Sequence, residues 1–250
     1  MDHSGGILVE QEISSELADI EQATGRLLGT VAGLTEAQAR APSLLPGWTR
    51  GHVLTHIARN ADGLANLLRW ARTGTQTPMY ASAEARDADI EAGAGRPAAE
   101  LAADVRESAR AFAAEAGRVP DDNWTVLVTR TPGGEGFPAR DALTRRRSEL
   151  EIHHVDLGAG YLPADWPADF VAETLARVAG ALAGRGDVPC CRVWADDGGE
   201  AYQLGPAGPA APVLVSGPAT SLLAWLLGRS RGGDLALPAG GELPVLPAWR

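Results

Sequence analysis

Apolar residues recur at helical spacing in four stretches of the first 158 residues: about 8–35, 49–73, 97–117 and 138–158. Thr49 has the side chain of an N-cap and Gly74 that of a stop, so the spacing predicts a helix between them. Pro97 sits where a first helical turn tolerates it, and Gly158 closes the fourth stretch. A long link, 73–96, joins the second and third helices and reads as a crossover or a covering loop. After 158–167 the pattern changes. One more helical stretch, about 168–184, precedes β-like runs at 190–196, 201–205 and 212–217, set off by Gly- and Pro-rich turns. A last helix is predicted over 219–229. The chain therefore reads as α+β, with a four-helix bundle over 1–162 and a smaller α+β domain over 163–250. No internal repeat stands out.

Charge narrows the partners. The formal net charge is -10, which speaks against nucleic acid or an anionic membrane surface. All 22 basic residues are arginine, so Schiff-base catalysis and a Walker-type phosphate loop are excluded. The N-terminus has no basic start followed by an apolar core, and no uncharged apolar run reaches membrane-spanning length. Two adjacent cysteines, Cys190 and Cys191, cannot form a disulfide scaffold and fit buried strand positions in a reducing compartment. A cytoplasmic protein is expected, and a monomer, since no heptad seam is left over.

Histidine placement carries the candidate chemistry. Four of five histidines fall in two segments: His52 and His56 in RGHVLTHIARNAD, and His153 and His154 in SELEIHHVDLGAGY. On a helical wheel, Val53, Ile57, Asn60, Leu64, Leu67, Leu68 and Ala71 share one face of the second helix, with Thr55, Asp62, Asn66 and Arg69 opposite. His56 lies roughly 70° from the centre of the apolar face and His52 roughly 110°, so His56 points inward and His52 sits at the rim. In the fourth helix Leu143, Leu150 and Leu157 mark the buried stripe. Glu149 and His153 share one flank of it, and Glu151 and His154 share the other. Spacing does not choose between these pairs. A catalytic zinc takes three protein ligands and keeps one position open, and bundle cores commonly host such sites. The competing reading is a set of ordinary hydrogen-bonded helix residues. The zincin motif HExxH is absent, because Val53 stands where its Glu would be.

Three stretches together resemble the mycothiol-dependent maleylpyruvate isomerase family within the DinB-like metal-binding bundles. They are residues 44–93, with TGTQTPMY after the second helix, SELEIHHVDLGAGY at 148–161, and LLGRSRGGDL at 226–235. The resemblance implies an N-terminal four-helix bundle holding a divalent metal, usually zinc, and a C-terminal domain of sterol-carrier-like character. It implies His56, Glu149 and His153 as the metal ligands and Arg229 as a catalytic arginine. The implied reaction converts maleylpyruvate to fumarylpyruvate in aromatic breakdown. Mycothiol, held as a thiolate by the metal, adds to the conjugated double bond; the adduct rotates, and the thiolate leaves. Arg229 would hold a carboxylate of the dianionic substrate or the enolate oxygen. Without the resemblance, Arg229 reads as the C-terminal cap of the 219–229 helix.

Other readings share the scaffold. A mycothiol S-transferase would leave the thiol attached, a non-catalytic metal-binding module would need neither an open position nor Arg229, and a zinc hydrolase would need Glu151 as general base. Met79 and Tyr80 fit either the wall of the thiol cleft or simple packing. Trp48 anchors the loop before the second helix, and Asp156 fits either orienting the helix end or giving an outer hydrogen bond to the site.

Overall fold

The computed structural model describes residues 3–208, 211–238 and 240–249, with side chains from residue 10 onward. Two compact units divide the chain, Met1–Tyr161 and Leu162–Arg250. In chain order the first holds α1 (His3–Ala32), the short α2 (Glu36–Arg40), α3 (Arg50–Thr73), α4 (Ala83–Ala94) and α5 (Ala98–Ala116). An antiparallel hairpin of β1 (Leu127–Thr129) and β2 (Gly136–Pro138) follows, then α6 (Asp141–Asp156). Helices α1, α3, α5 and α6 make the bundle: α3 packs on α5 and α6, and α1 packs on the same two. Leu27, Ile57, Leu64, Leu67, Leu101, Phe112, Leu143 and Leu150 fill it, each essentially unexposed. Burial at this level is worth roughly 1.5–3 kcal/mol for each large apolar side chain.

Helix α3 runs between the expected ends. Thr49 is its N-cap, and Gly74 closes it in the left-handed region at φ 72°. It is, however, covered on more than its apolar face. Thr55, on the face opposite Ile57, is 1% exposed because α4 lies there. The two helices touch closely: a Cβ on Gly51 would come 2.1 Å from the Ala94 carbonyl oxygen. The link 73–96 thus contains a helix that periodicity did not reveal, since α4 buries only Ile90 and Ala94. The short α2 and the hairpin also went unforeseen; five- and three-residue elements are too short to carry a period.

The second unit holds α7 (Ala168–Leu182), β3 (Cys191–Ala195), β4 (Ala201–Leu204), β5 (Val213–Gly217) and α8 (Ala219–Leu226). Its sheet runs β4-β3-β5, with β3 antiparallel to β4 and parallel to β5. Cys191, Val193, Ala195 and Val215 are buried, while Trp194 points to the open face. Cys190 stops short of the strand and is half-buried, unlike the buried strand position expected for it. The last helix ends at Leu226 rather than 229. Its end is a Schellman turn, in which the Gly228 N–H bonds the Trp225 carbonyl (2.9 Å) and the Arg229 N–H bonds the Ala224 carbonyl (2.7 Å). Among the described residues no helix is long and apolar enough to cross a membrane.

Candidate metal centre

The start of α3 is fixed by a capping box in which a histidine takes the usual Glu or Gln position. The Thr49 backbone N–H donates to His52 Nδ1 (3.2 Å), and Thr49 Oγ1 lies 2.7 Å from the same nitrogen. The other ring nitrogen of His52, Nε2, meets Glu91 of α4 at 3.1 Å. Both ring nitrogens of His52 are therefore engaged at the rim.

Two arginines register α3 against α6. Arg50, in the first turn of α3, donates from Nε to the Leu157 carbonyl (2.7 Å) and from Nη2 to the Gly158 carbonyl (2.8 Å). A cation there also meets the negative end of the α6 dipole. Arg146, wholly unexposed, donates from Nη1 to the Ile57 carbonyl (2.8 Å) and Asn60 Oδ1 (3.1 Å). Burial pushes its pKa down to about 10, with Glu149, Asp62 and Tyr80 pulling the other way, so it stays charged at neutral pH. Sequence reasoning singled out neither arginine. The signal for Arg146 was its position three residues before Glu149, which puts it on the same flank of the helix.

Between these clamps His56, Glu149 and His153 converge. His56 Nε2 lies 2.9 Å from Glu149 Oε2 and 3.1 Å from His153 Nε2, and the remaining side, His153 Nε2 to Glu149 Oε2, is 3.1 Å. A tetrahedral zinc with bonds of about 2.0–2.1 Å separates its ligands by about 3.3–3.4 Å, so a small adjustment would fit these three donors to one ion. The donor set, two imidazoles and one carboxylate, is one zinc accepts. His153 Nδ1 lies 2.8 Å from Asp156 Oδ2, the carboxylate–histidine arrangement that orients a ligand. Trp48 covers the pair on α3, its ring 6.1 Å from that of His52 and 5.6 Å from that of His56.

The charges of the cluster follow from its contacts. Burial disfavours a charged Glu149, but hydrogen bonds from His153 and His56 outweigh this and hold its pKa well below the ordinary carboxylate value. Burial also opposes charge on His153, yet bonds to Asp156 and Glu149 push it up to about 9. Burial wins at His56, whose pKa is lowered. His56 Nδ1 faces a donor, Arg86 Nη2 at 3.3 Å, rather than an acceptor.

Glu151 and His154 go elsewhere. Glu151, 1% exposed, accepts from Arg26 of α1 at Oε1 and from the Tyr161 hydroxyl (2.5 Å) at Oε2. His154 Nε2 lies 2.8 Å from Thr30 Oγ1, and its ring stacks on Tyr161 at 3.8 Å. The base that a zinc hydrolase would need is therefore tied to α1, roughly 200° round α6 from Glu149. Met79 is buried in packing: a Cβ on Gly63 of α3 would lie 2.5 Å from Met79 Cγ. Tyr80 instead lines a cavity with Arg86. Arg229 belongs to the second unit, where its Nη1 donates to the Leu227 carbonyl (2.7 Å).

Fold and site together define a helical-bundle protein with a part-buried His–Glu–His cluster suited to a divalent ion. Family models agree along almost the whole length. The mycothiol maleylpyruvate isomerase N-terminal domain matches residues 20–158, and the MDMPI C-terminal domain matches 165–248. The chain belongs to the mycothiol-dependent maleylpyruvate isomerase family. Two solved structures are similar over 95% of this chain and 97% of theirs, each with TM-score 0.87. One is a mycothiol-dependent maleylpyruvate isomerase at 29% identity, and the other is a histidine-to-alanine mutant of a mycothiol-dependent maleylpyruvate isomerase at 28%. No curated protein matches.

Proposed function

We propose that this chain is a zinc- and mycothiol-dependent cis–trans isomerase that converts maleylpyruvate to fumarylpyruvate. The observation that carries the reading is the meeting of His56, Glu149 and His153 in a chain matched by both domain models. These three side chains would hold the zinc, and Asp156 would fix the ring of His153. When bound, zinc with mycothiol supplies a thiolate near neutral pH, able to add to and leave an activated double bond. The Cys191 thiol does not compete: burial pushes it up to about 11. Arg229 is the candidate for holding a substrate carboxylate or stabilising the enolate oxygen. The functional domains are taken as 1–162 and 163–250, acting in the cytoplasm as a monomer.

The test supplies maleylpyruvate and mycothiol to metal-loaded protein and follows the trans acid. Its formation, dependent on both metal and thiol, supports the reading. Absence of turnover with metal bound overturns it, and a lasting thiol adduct would instead mark an S-transferase.

A further inference from the structure

A cavity of about 560 Å³ opens in the first unit between the α4 region and the β1–β2 hairpin. Three guanidinium-bearing residues line it: Arg86 of α4, Arg130 just after β1 and Arg145 of α6. Tyr80 and Phe137 line it too, and the one acid lining it, Glu135, is exposed. The cavity adjoins the His–Glu–His cluster on two sides. Arg86 reaches His56, and Arg145 stands one turn before Glu149 on the same flank of α6.

The cationic charge here is built and only partly neutralised, by the ion pair of Arg86 with the exposed Asp87 (2.6 Å). Arg145 is held with its guanidinium carbon 4.1 Å from the centre of the Phe137 ring, a cation–π contact that fixes its plane. Its Nε is buried with no hydrogen-bond partner. Its electrostatic neighbours are Asp141 and Glu149, which favour its charge, and Arg130, which opposes it. Neither Arg130 nor Arg145 forms an ion pair among the described residues. The Tyr80 N–H bonds the Arg130 carbonyl (3.1 Å), so the loop after α3 is tied to this wall. Three like charges drawn together in a protein of net charge -10, two of them without an ion pair among the described residues, call for an anion between them.

We propose that Arg86, Arg130 and Arg145 form a carboxylate-binding wall that holds one end of a dicarboxylate substrate beside the cluster. This rests on the isomerase reading, in which the substrate carries a carboxylate at each end of a seven-carbon chain. Guanidiniums suit carboxylates because their paired N–H groups match both oxygens. Arg86 lines the cavity while its Nη1 pairs with Asp87 and its Nη2 lies 3.3 Å from His56. The wall lies wholly in the first unit and is separate from the role proposed for Arg229.

The probe is heptanedioate, a saturated seven-carbon dicarboxylate, titrated calorimetrically into metal-loaded protein without thiol. Wild-type protein binds it, and hexanoate binds more weakly. An Arg130→Gln, Arg145→Gln double variant weakens heptanedioate on the order of tenfold or more, as expected for lost charge-assisted hydrogen bonds. Metal content and melting temperature stay as in wild type. In turnover the same variant raises KM for maleylpyruvate at least as much as it lowers kcat, and Arg145→Lys recovers part of the loss. Unchanged heptanedioate binding with unchanged KM overturns the wall, as does displacement of heptanedioate by mycothiol alone. The two readings fail differently. Binding that depends on these arginines without isomerisation leaves the wall and removes the isomerase. Isomerisation with wild-type KM in the double variant does the reverse.

Discussion

Glu149 and His153 stand on one flank of α6, and Glu151 and His154 on the other, with the same residue types at nearly the same spacing. The first pair faces α3, where a third donor, His56, meets it. The second faces α1, where Arg26 neutralises the carboxylate, Tyr161 takes its other oxygen and Thr30 meets the imidazole. A metal site needs lone pairs aimed at one point. A structural pair needs every donor and acceptor matched, because a buried polar group left unpaired costs stability. The neighbour across the helix interface, rather than the residue type, decides which of these a Glu–His pair becomes.

The largest expected effect sharpens that contrast. His56→Ala or Glu149→Gln should weaken zinc binding by more than the roughly 10–100-fold that losing an outer partner such as Asp156 costs. Glu151→Gln should leave it intact. Elemental analysis of purified variants checks this, and loss of zinc in Glu151→Gln would collapse the distinction.

The second prediction inverts the first. Glu151→Ala should lower unfolding free energy by about 2 kcal/mol, below the 3–5 kcal/mol for a fully buried pair because Arg26 is 34% exposed. Urea unfolding measures it. A loss under about 0.5 kcal/mol would show that the α1 flank contributes no more than an ordinary surface site.

The third concerns pH. His153 is raised from its ordinary 6.5 to about 9, so its contribution to metal-free stability is full below 6.5 and fades as pH rises through about 9. Glu149 is lowered, so its contribution holds above its ordinary 4.5 and is lost towards acid. Zinc must displace the His153 proton. Between pH 6.5 and about 9 its affinity should rise roughly tenfold per unit, with about one proton released. Calorimetry in buffers of different ionisation enthalpy counts that proton, and a count of zero contradicts the charge assignment.

The smallest effect separates the two histidines of α3. His52→Ala should cost about 1 kcal/mol through the capping box and keep the metal. Loss of the metal in His52→Ala, with retention in His56→Ala, would exchange their roles.

Much of the frame was legible beforehand. Thr49 and Gly74 bounded α3, and the Leu143–Leu150–Leu157 stripe placed α6 in the core. The open angle between His52 and His56 on the wheel corresponds to a rim histidine engaged in capping and a buried one in the cluster. Helix α4 stayed hidden because a helix that buries two side chains has almost no apolar period. The arginine wall stayed hidden because its members come from α4, the end of β1 and α6, and no spacing rule joins residues 86, 130 and 145. Arg146 could have been seen, since three positions before Glu149 is the same flank.

The sequence by itself determined which residues share a helix face, because 3.6 residues per turn fixes the angles between side chains on one element. It could not determine how far each helix is rotated about its own axis relative to its neighbours. The resemblance to a known family proposed Glu149 and His153, but spacing left both pairs open. Tertiary packing brought one pair to His56, through the leucine stripe, the Arg50 bonds to the end of α6 and the buried Arg146 bond to Ile57. Those contacts cross between helices, and the physics that sets them is close packing and the satisfaction of buried polar groups.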